Sequence, residues 1–257
     1  MDSIQGRRPN HETAAYKRLN QKRNPHIVRL LATYFHKGHL HMIFPWADGN
    51  LFEFWKTHYP TTTCLPRSCD LAKWAIKQIL GLATALLCIH DSALEEDSDG
   101  LKPGDGKKTH GRHGDLKPQN ILWFKDTSAK TPIDALGNLV ISDLGSTEFH
   151  GTLSKTVQAN AAGGFTETYK APEYDFRQLV SPQADIWSLG CMLLEFVVWY
   201  MRGWTGVKDF SDARIADSNF VIQTDQFFNF DKRYNVVKAK VSVRKVWKFC
   251  YGIHDEW

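Results

Sequence analysis

One polar run of eight residues, HGDLKPQN from His113 to Asn120, constrains this chain more than any other feature. It supplies a carboxylate at Asp115, a cation two residues later at Lys117, and a carboxamide three residues after that. Further along, an apolar run ends directly before Asp143-Leu144-Gly145. A carboxylate that ends a strand and is followed by glycine can hold a metal ion at a phosphate group. These two segments are therefore candidates for a site that handles phosphate.

Short apolar runs predict two pairs of strands. Residues 121–124 and 139–142 bracket a polar loop that contains proline and glycine, which is typical of a strand pair. Residues 27–35 and 40–44 are joined by a segment with lysine and glycine that suits a hairpin turn. The histidine pairs 39/41 and 110/113 have spacings that metal ligands use, but turn and packed histidines are the favoured interpretation.

Helical spacing of apolar residues recurs in four other segments. A first helix begins near Glu12 and ends at Asn24-Pro25, because proline cannot continue it. Residues 70–90 predict a long helix with Asp70 as its N-cap. The strongest pattern opens at residues 181–183, and residues 236–251 predict one amphipathic helix. Between these segments, residues 95–109 are almost devoid of apolar side chains and predict a solvated loop.

Composition narrows the class of protein. The 257 residues are 42% hydrophobic and 23% charged, which is compatible with a sizeable core. A net charge of +4 is too small to indicate nucleic-acid binding without a localised basic patch. Five scattered cysteines favour reduced thiols. The first ten residues show no signal peptide, and the apolar stretch 189–201 is too short and polar to span a bilayer. We therefore expect a soluble intracellular protein of the cytoplasm or nucleus, without a membrane or nucleic-acid partner.

Four motifs, in this order, resemble the eukaryotic-type protein kinase domain. His113–Asn120 resembles the kinase catalytic loop, and Asp143-Leu144-Gly145 resembles the D-F-G magnesium motif. Ala171-Pro172-Glu173 resembles the A-P-E motif, and residues 185–190 resemble the helix that anchors the large lobe. Residues 116–120 are similar to the serine/threonine subclass, and residues 41–51 are similar to kinases of filamentous fungi.

The resemblance implies an α+β, protein-kinase-like fold with a mostly helical large lobe and a partial small lobe that lacks the first strands. It implies one domain over residues 1–257, with 1–46 as a small-lobe remnant and 47–257 as an incomplete large lobe. It also implies a serine/threonine protein kinase that transfers the γ-phosphoryl group of ATP, with Mg²⁺, to a Ser or Thr hydroxyl of a protein substrate.

Residue roles follow from the same resemblance. Asp115 is implied to accept or orient the substrate hydroxyl, and Lys117 to stabilise the transferring phosphoryl group. Asn120 and Asp143 are implied to hold Mg²⁺ between the phosphates. Asp185 is implied to tie down the backbone of the catalytic loop.

The nucleotide base has its own implied contacts. Ile43 corresponds to the gatekeeper position, and backbone groups of Phe44 and Trp46 are implied to hydrogen-bond the adenine edge. Thr168 is implied to bridge the substrate-binding segment to Asp115 and Lys117.

Several departures from the family pattern lead to alternative interpretations of what this chain does. Neither a glycine-rich loop nor the strand lysine precedes Glu12, which resembles the helix glutamate that normally pairs with that lysine. Helix patterns after Gly203 are weak. We therefore expect a chain truncated at both ends, with a catalytically inactive pseudokinase acting as an interaction module as the alternative. A small-molecule kinase is a third interpretation. Gly114 stands where many kinases have arginine, so we expect any activity to be independent of activation-loop phosphorylation.

Overall fold

The computed structural model describes residues 8–58, 68–91, 110–150, 157–158, 167–176, 179–219, 223–231 and 233–250. The expected loop at 95–109 therefore lies outside the described residues. The helices within them are α1 (Arg8–Lys22), α2 (Leu51–Thr57), α3 (Cys69–His90), α4 (Glu173–Phe176), α5 (Gln183–Ala216) and α6 (Val241–Cys250).

The strands in the same residues are β1 (Ala32–His36), β2 (His39–Ile43), β3 (Gly49–Asn50), β4 (His110–Arg112), β5 (Ile121–Phe124), β6 (Asn138–Ile141), β7 (Glu148–His150), β8 (Val157–Gln158), β9 (Leu179–Val180), β10 (Phe228–Asp231) and β11 (Val236–Ala239). They form small antiparallel sheets, and β5 is the central strand of the three-stranded sheet, whose order is β3-β5-β6. The remaining pairs are β1-β2, β4-β7, β8-β9 and β10-β11. Helices and antiparallel strands in separate stretches confirm the expected α+β class.

The long helices α3 and α5 supply much of the core. An aromatic cluster joins them, in which the buried Phe54 ring contacts the rings of Trp74, Trp123 and Trp199 at centroid distances of 5.1–5.5 Å. By length and composition alone both helices could cross a membrane. In this fold one face of each helix is buried in the core, whereas Ile76, Leu80 and Leu87 of α3 remain exposed.

The start of α3 corrects one prediction. Ser68, not Asp70, is the N-cap, because its hydroxyl accepts the N–H of Leu71 at 3.1 Å. Asp70 instead pairs with Lys73 on the surface, 3.1 Å away.

The C-terminal elements differ from the expected single helix over 236–251. Residues 236–239 form strand β11, which pairs with β10, and the helix begins only at Val241. Side-chain spacing missed this boundary because the strand partner, Phe228–Asp231, is not visible in a local pattern. The helix α5, in contrast, continues past the weak pattern after Gly203, with a kink at that glycine.

The β1–β2 hairpin confirms the predicted turn. Lys37 and Gly38 both have positive φ, 50° and 79°, as a two-residue type I′ turn requires. The first strand is shorter than the apolar run, however. Leu31 N–H still donates to Ile43 O, at the end of β2, but Val28 N–H donates to Ile141 O at the end of β6, both at 2.8 Å.

The β5–β6 hairpin positions the polar segments that the sequence singled out. Its register pairs Ile121 with Ile141, so the residue before β5 and the residue after β6 are neighbours. α3 fixes it from one side, because Gln78 accepts the N–H of Leu139 at 2.9 Å. His26 Nδ1 lies 2.7 Å from the Leu139 carbonyl oxygen as well. The hairpin therefore delivers Asn120 and Ser142 to one place, joined by the Ser142 N–H donating to Asn120 O at 2.9 Å.

Candidate active site

Asp185 anchors the catalytic-loop segment through hydrogen bonds to its backbone. Its carboxylate accepts the backbone N–H groups of His113 at 2.8 Å and Gly114 at 2.9 Å, and it lies 2.8 Å from His90 Nε2. Burial alone raises the pKa of the Asp185 carboxyl, but the hydrogen bond from His90 and electrostatic interaction with His113 outweigh it and lower that pKa. The structure thus places Asp185 where the resemblance implied.

His113 and Gly114 shape the loop above this anchor. With its proton on Nε2, the His113 ring donates to the Ser142 carbonyl at 2.8 Å and accepts the Asp115 N–H at 3.3 Å. Gly114 has φ of 86°, a conformation that favours glycine over a side-chain-bearing residue. Both features turn Asp115 back toward the end of the β5–β6 hairpin.

Asp115, Lys117 and Asn120 form one hydrogen-bonded group. Lys117 Nζ lies 2.5 Å from Asp115 Oδ2, and Asn120 Nδ2 donates to the Asp115 backbone oxygen at 2.8 Å and to its Oδ2 at 3.3 Å. Asn120 is buried, whereas Asp115 and Lys117 are partly exposed. A carboxylate fixed by two donors, with a cation beside it, can receive a proton and neutralise a transferring anion.

Asp143 follows β6 in a left-handed conformation, with φ of 59° and ψ of 69°. Its carboxylate is exposed and accepts the Gly145 N–H at 3.4 Å. Asn120 uses its amide nitrogen toward Asp115, and no donor from the described residues bonds to its amide oxygen. An exposed carboxylate and an amide oxygen at the end of one hairpin are hard donors of the kind that suits Mg²⁺.

Two residues of α1 face the Asp143 turn. The Glu12 carboxylate approaches Gly145, and burial, with the negative charge of Asp143, raises the pKa of Glu12. Tyr16 accepts the N–H of Leu144 at 3.2 Å, and burial raises the pKa of Tyr16 to about 12. α1 therefore brings a second carboxylate toward Asp143, while Tyr16 holds the backbone of the turn.

The predicted adenine-binding residues lie at the end of β2. Ile43 is half exposed, Phe44 packs its ring against Tyr16 at 4.8 Å, and Trp46 is 96% exposed. Within the described residues no hydrogen bond engages the backbone of Phe44 or Trp46, so these groups remain for a ligand. Through Tyr16, this segment connects to the turn that carries Asp143.

Thr168 differs from its expected role. Its hydroxyl donates to Asp225 Oδ1 at 2.7 Å rather than to Asp115 or Lys117. Asp225 lies in the segment before strand β10. The next residue of that segment, Gln226, donates a hydrogen bond from its side-chain amide to the Glu167 carboxylate at 2.7 Å. These two contacts hold residues 167–168 toward the C-terminal part of the chain.

Three contributors to the site were missed from the sequence: His90, Tyr16 and Asp225. Each lies far along the chain from its partner, and a histidine ending a helix or a tyrosine on a buried face carries no specific signal. The residues recognised from the sequence, such as Asp115, Asn120, Asp143 and Asp185, all lie in short motifs of neighbouring residues.

Known proteins are similar to the part of the chain that carries this candidate site. A family model described as "Protein kinase domain" matches residues 106–240, just over half of the chain. The chain is 29% identical over 205 residues to the probable LRR receptor-like serine/threonine-protein kinase RPK1 of Arabidopsis thaliana, covering 79% of this chain and 29% of that protein.

Two further relatives are similar to the chain at comparable levels. The probable serine/threonine-protein kinase clkA of Dictyostelium discoideum is 26% identical over 199 residues, which are 70% of this chain and 19% of the relative. The dual specificity protein kinase YAK1 of Saccharomyces cerevisiae is 29% identical over 181 residues, 69% of this chain and 18% of the relative. The chain thus spans less than a third of the length of these three curated relatives.

Proposed function

The chain belongs to the protein kinase family, and we propose that it is a serine/threonine protein kinase that transfers the γ-phosphoryl group of ATP to protein hydroxyls. The observation that carries this proposal is the bonded group of Asp115, Lys117 and Asn120 beside Asp143. The three relatives described above are named as kinases, which supports the same reaction class.

In the proposed reaction, Asp115 orients the substrate hydroxyl and takes its proton as the oxygen attacks the γ-phosphorus, while the bond from that phosphorus to the β–γ bridging oxygen breaks and ADP leaves. Lys117, already beside that carboxylate, donates to the phosphoryl oxygens that carry the developing charge. Asn120 and Asp143 would hold Mg²⁺, which neutralises charge between the phosphate groups when bound. The backbone groups of the Phe44–Trp46 segment bind the adenine edge, with Ile43 beside them.

A second candidate function is supported by a separate observation, the position of Glu12. Glu12 approaches Asp143, a like charge, and no ion pair to Glu12 exists within the described residues. A catalytically inactive pseudokinase that acts as an interaction module is consistent with a carboxylate in that position. The two candidates share the fold and differ in whether the phosphoryl group is transferred.

Transfer from radiolabelled ATP to histone and casein, followed by phosphoamino-acid analysis, tests the proposal. We expect label on Ser or Thr in the presence of Mg²⁺, and Asp115→Asn lowers the rate at least about 100-fold, because the general base is lost. Asp70→Asn is the matched control, since its ion pair is exposed and far along the chain from the site. Binding of ATP with no label above the Asp115→Asn background contradicts the kinase proposal and favours the pseudokinase.

A further inference from the structure

The C-terminal part of the chain carries a concentration of positive charge. Between Asp231 and Asp255 the sequence contains seven Lys and Arg residues and no carboxylate. Those seven charges exceed the net charge of the whole chain, which is +4. The modest net charge therefore hides a localised basic segment, and such a segment attracts an anionic partner.

The structure holds one side of helix α6 against the core. The side chains of Val243 and Val246 are buried among other apolar residues. In the first turn of the helix, the Asp217 carboxylate accepts the N–H of Ser242 at 2.9 Å. Directly before the helix, the buried Lys240 ammonium donates to two backbone oxygens of other segments, at 2.6 and 2.8 Å. Because its inner side and its first turn are both held, α6 presents its outer side to solvent in a fixed orientation.

The outer side of α6 gathers three cations. The exposed residues there follow the spacing i, i+3, i+4 and i+7, which is one face of a helix: Val241, Arg244, Lys245 and Lys248. The three cations lie within five residues of one another. One flat anionic surface can therefore contact all three side chains at once.

Exposed apolar side chains accompany these cations. Trp247 is more than half exposed, Phe249 exposes more than a third of its surface, and Val241 lies on the cationic face itself. Aromatic rings are favourable at the headgroup level of a bilayer, and exposed aliphatic groups gain contact with the acyl boundary. The phosphates of a nucleic acid offer aliphatic groups no apolar partner. The mixture therefore favours a lipid surface over a nucleic acid.

The β10–β11 hairpin, which leads into α6, has the same chemistry. Val236 and Lys238 are its exposed positions in β11, because alternate residues of a strand point to opposite sides. In its turn, the Arg233 guanidinium lies 5.5 Å from the ring centroid of the exposed Tyr234. Among the described residues, the hairpin and the helix together expose five cations.

We propose that the outer surface of residues 233–249 binds an anionic lipid bilayer. Arg244, Lys245 and Lys248 contact the acidic headgroups, while Trp247 and Phe249 enter the headgroup region. Charge attraction and apolar insertion are the two signals that stable membrane association combines. The proposal departs from the expectation drawn from the net charge, which averaged this segment with the rest of the chain. It is independent of the proposed kinase function, because no nucleotide takes part.

Co-sedimentation of the full chain with vesicles tests the assignment. The probes are vesicles of phosphatidylcholine alone and vesicles that also contain about 30% phosphatidylserine. We expect the partition coefficient for the anionic vesicles to be at least about tenfold higher. Raising the NaCl concentration from about 0.1 to 0.5 M weakens that binding at least about fivefold, because salt screens exposed charges.

A triple variant removes the cationic face of α6: Arg244→Gln, Lys245→Gln and Lys248→Gln. We expect it to lower the partition coefficient for the anionic vesicles about 100-fold, the effect of three cations near such a surface. Trp247→Ala lowers the coefficient at least about fivefold, because apolar contact with lipid is lost.

The matched control replaces three exposed cations of other elements with glutamine: Lys17, Lys22 and Lys130. It has the same net charge as the α6 triple variant and stays within about threefold of the parent, since screening limits the reach of distant charges. Circular dichroism and thermal unfolding check that both triple variants are folded. Parent-like binding by the α6 triple variant, or an equal loss in both triple variants, overturns the assignment.

The vesicle composition and a second probe supply the remaining outcomes. Equal binding to neutral and anionic vesicles, or binding to neither, overturns the assignment. Binding to a single-stranded oligonucleotide without binding to the anionic vesicles overturns it in favour of a nucleic acid.

Discussion

At the scale of single residues, Asp185 has the largest structural task. It is buried and satisfies two backbone donors of the catalytic loop and the His90 ring. Asp185→Asn replaces one acceptor oxygen with an amino group that faces these donors. We expect a loss of about 2–3 kcal/mol in the free energy of unfolding, as for hydrogen bonds to a charged group. Urea denaturation at pH 7 measures it.

Asp70→Asn is again the control for this variant, since exposed ion pairs contribute less than about 1 kcal/mol. The lowered pKa of Asp185 sets the pH window, because its stabilisation is present above its unfolded pKa near 3.8 and is lost only below it. Equal stability of the Asp185→Asn variant and the parent at pH 7 would show that the loop is held by other contacts.

The site could be predicted from the sequence where its residues are close in the chain. Asp115, Lys117 and Asn120 lie within six residues, so their spacing and the loop geometry bring them together. Contacts such as Asp185 with His90, 95 residues apart, depend on how helices pack, which no local pattern contains. The contact of Thr168 with Asp225 could not be predicted for the same reason, because the two residues are 57 positions apart in the chain.

At the scale of elements, the kink in α5 is a specific feature. Gly203 has φ of 68° and ψ of −164°, a region that is essentially restricted to glycine. We expect Gly203→Ala to lower the free energy of unfolding by about 1–3 kcal/mol, because a Cβ is strained there. Thermal or urea unfolding measures it.

Gly190 in the same helix provides the opposite case. Nothing lies within 4 Å of a Cβ added at that position. We expect Gly190→Ala to raise the free energy of unfolding by about 0.5–1 kcal/mol, because alanine has the higher helix propensity. Destabilisation by both variants alike would contradict the assignment of the kink to Gly203.

The junction of β11 and α6 predicts a dependence on pH. Lys240 is buried and donates to the backbone oxygens of Arg214 at 2.8 Å and Thr224 at 2.6 Å. Burial and the charge of Arg214, opposed by Asp217 and Asp225, lower the pKa of Lys240 to about 8.

The unfolded chain keeps the Lys240 proton up to about pH 10.5, so it binds more protons than the folded chain between pH 8 and 10.5. We expect the free energy of unfolding of the parent, relative to Lys240→Met, to rise by about 1.4 kcal/mol per pH unit across that window. Urea denaturation from pH 7 to 10 measures the difference. Lys238→Met, an exposed neighbour, keeps the parent's slope, and an unchanged slope in Lys240→Met contradicts the prediction.

Elements were predicted best where one local pattern decides them. The β1–β2 turn, β5, β6 and α3 all lie where periodicity and turn residues place them. Strand β11 was missed because its pairing with β10 overrides the helical spacing of residues 236–239. The N-cap of α3 was displaced by two residues because Ser68 and Asp70 are both good caps.

At the scale of the whole molecule, the family and the α+β class agree between sequence, structure and relatives. The division into residues 1–46 and 47–257, and the truncation at both ends, stay predictions. The structure joins the α1 segment to the rest through Tyr16 and through the pairing of Ile27 with Ile141. These contacts bring Glu12 and the Phe44–Trp46 segment toward the Asp143 turn, where the proposed function places the nucleotide.

Calorimetric titration of the full chain with ATP, with and without Mg²⁺, tests the central claim most directly. The proposed site predicts binding that strengthens at least tenfold with Mg²⁺, and Asp143→Asn removes that dependence because one carboxylate ligand is lost. The Asp70→Asn control retains it. Nucleotide binding that is absent, or equally strong without Mg²⁺ and in Asp143→Asn, would contradict a phosphoryl-transfer site at Asp115, Lys117, Asn120 and Asp143.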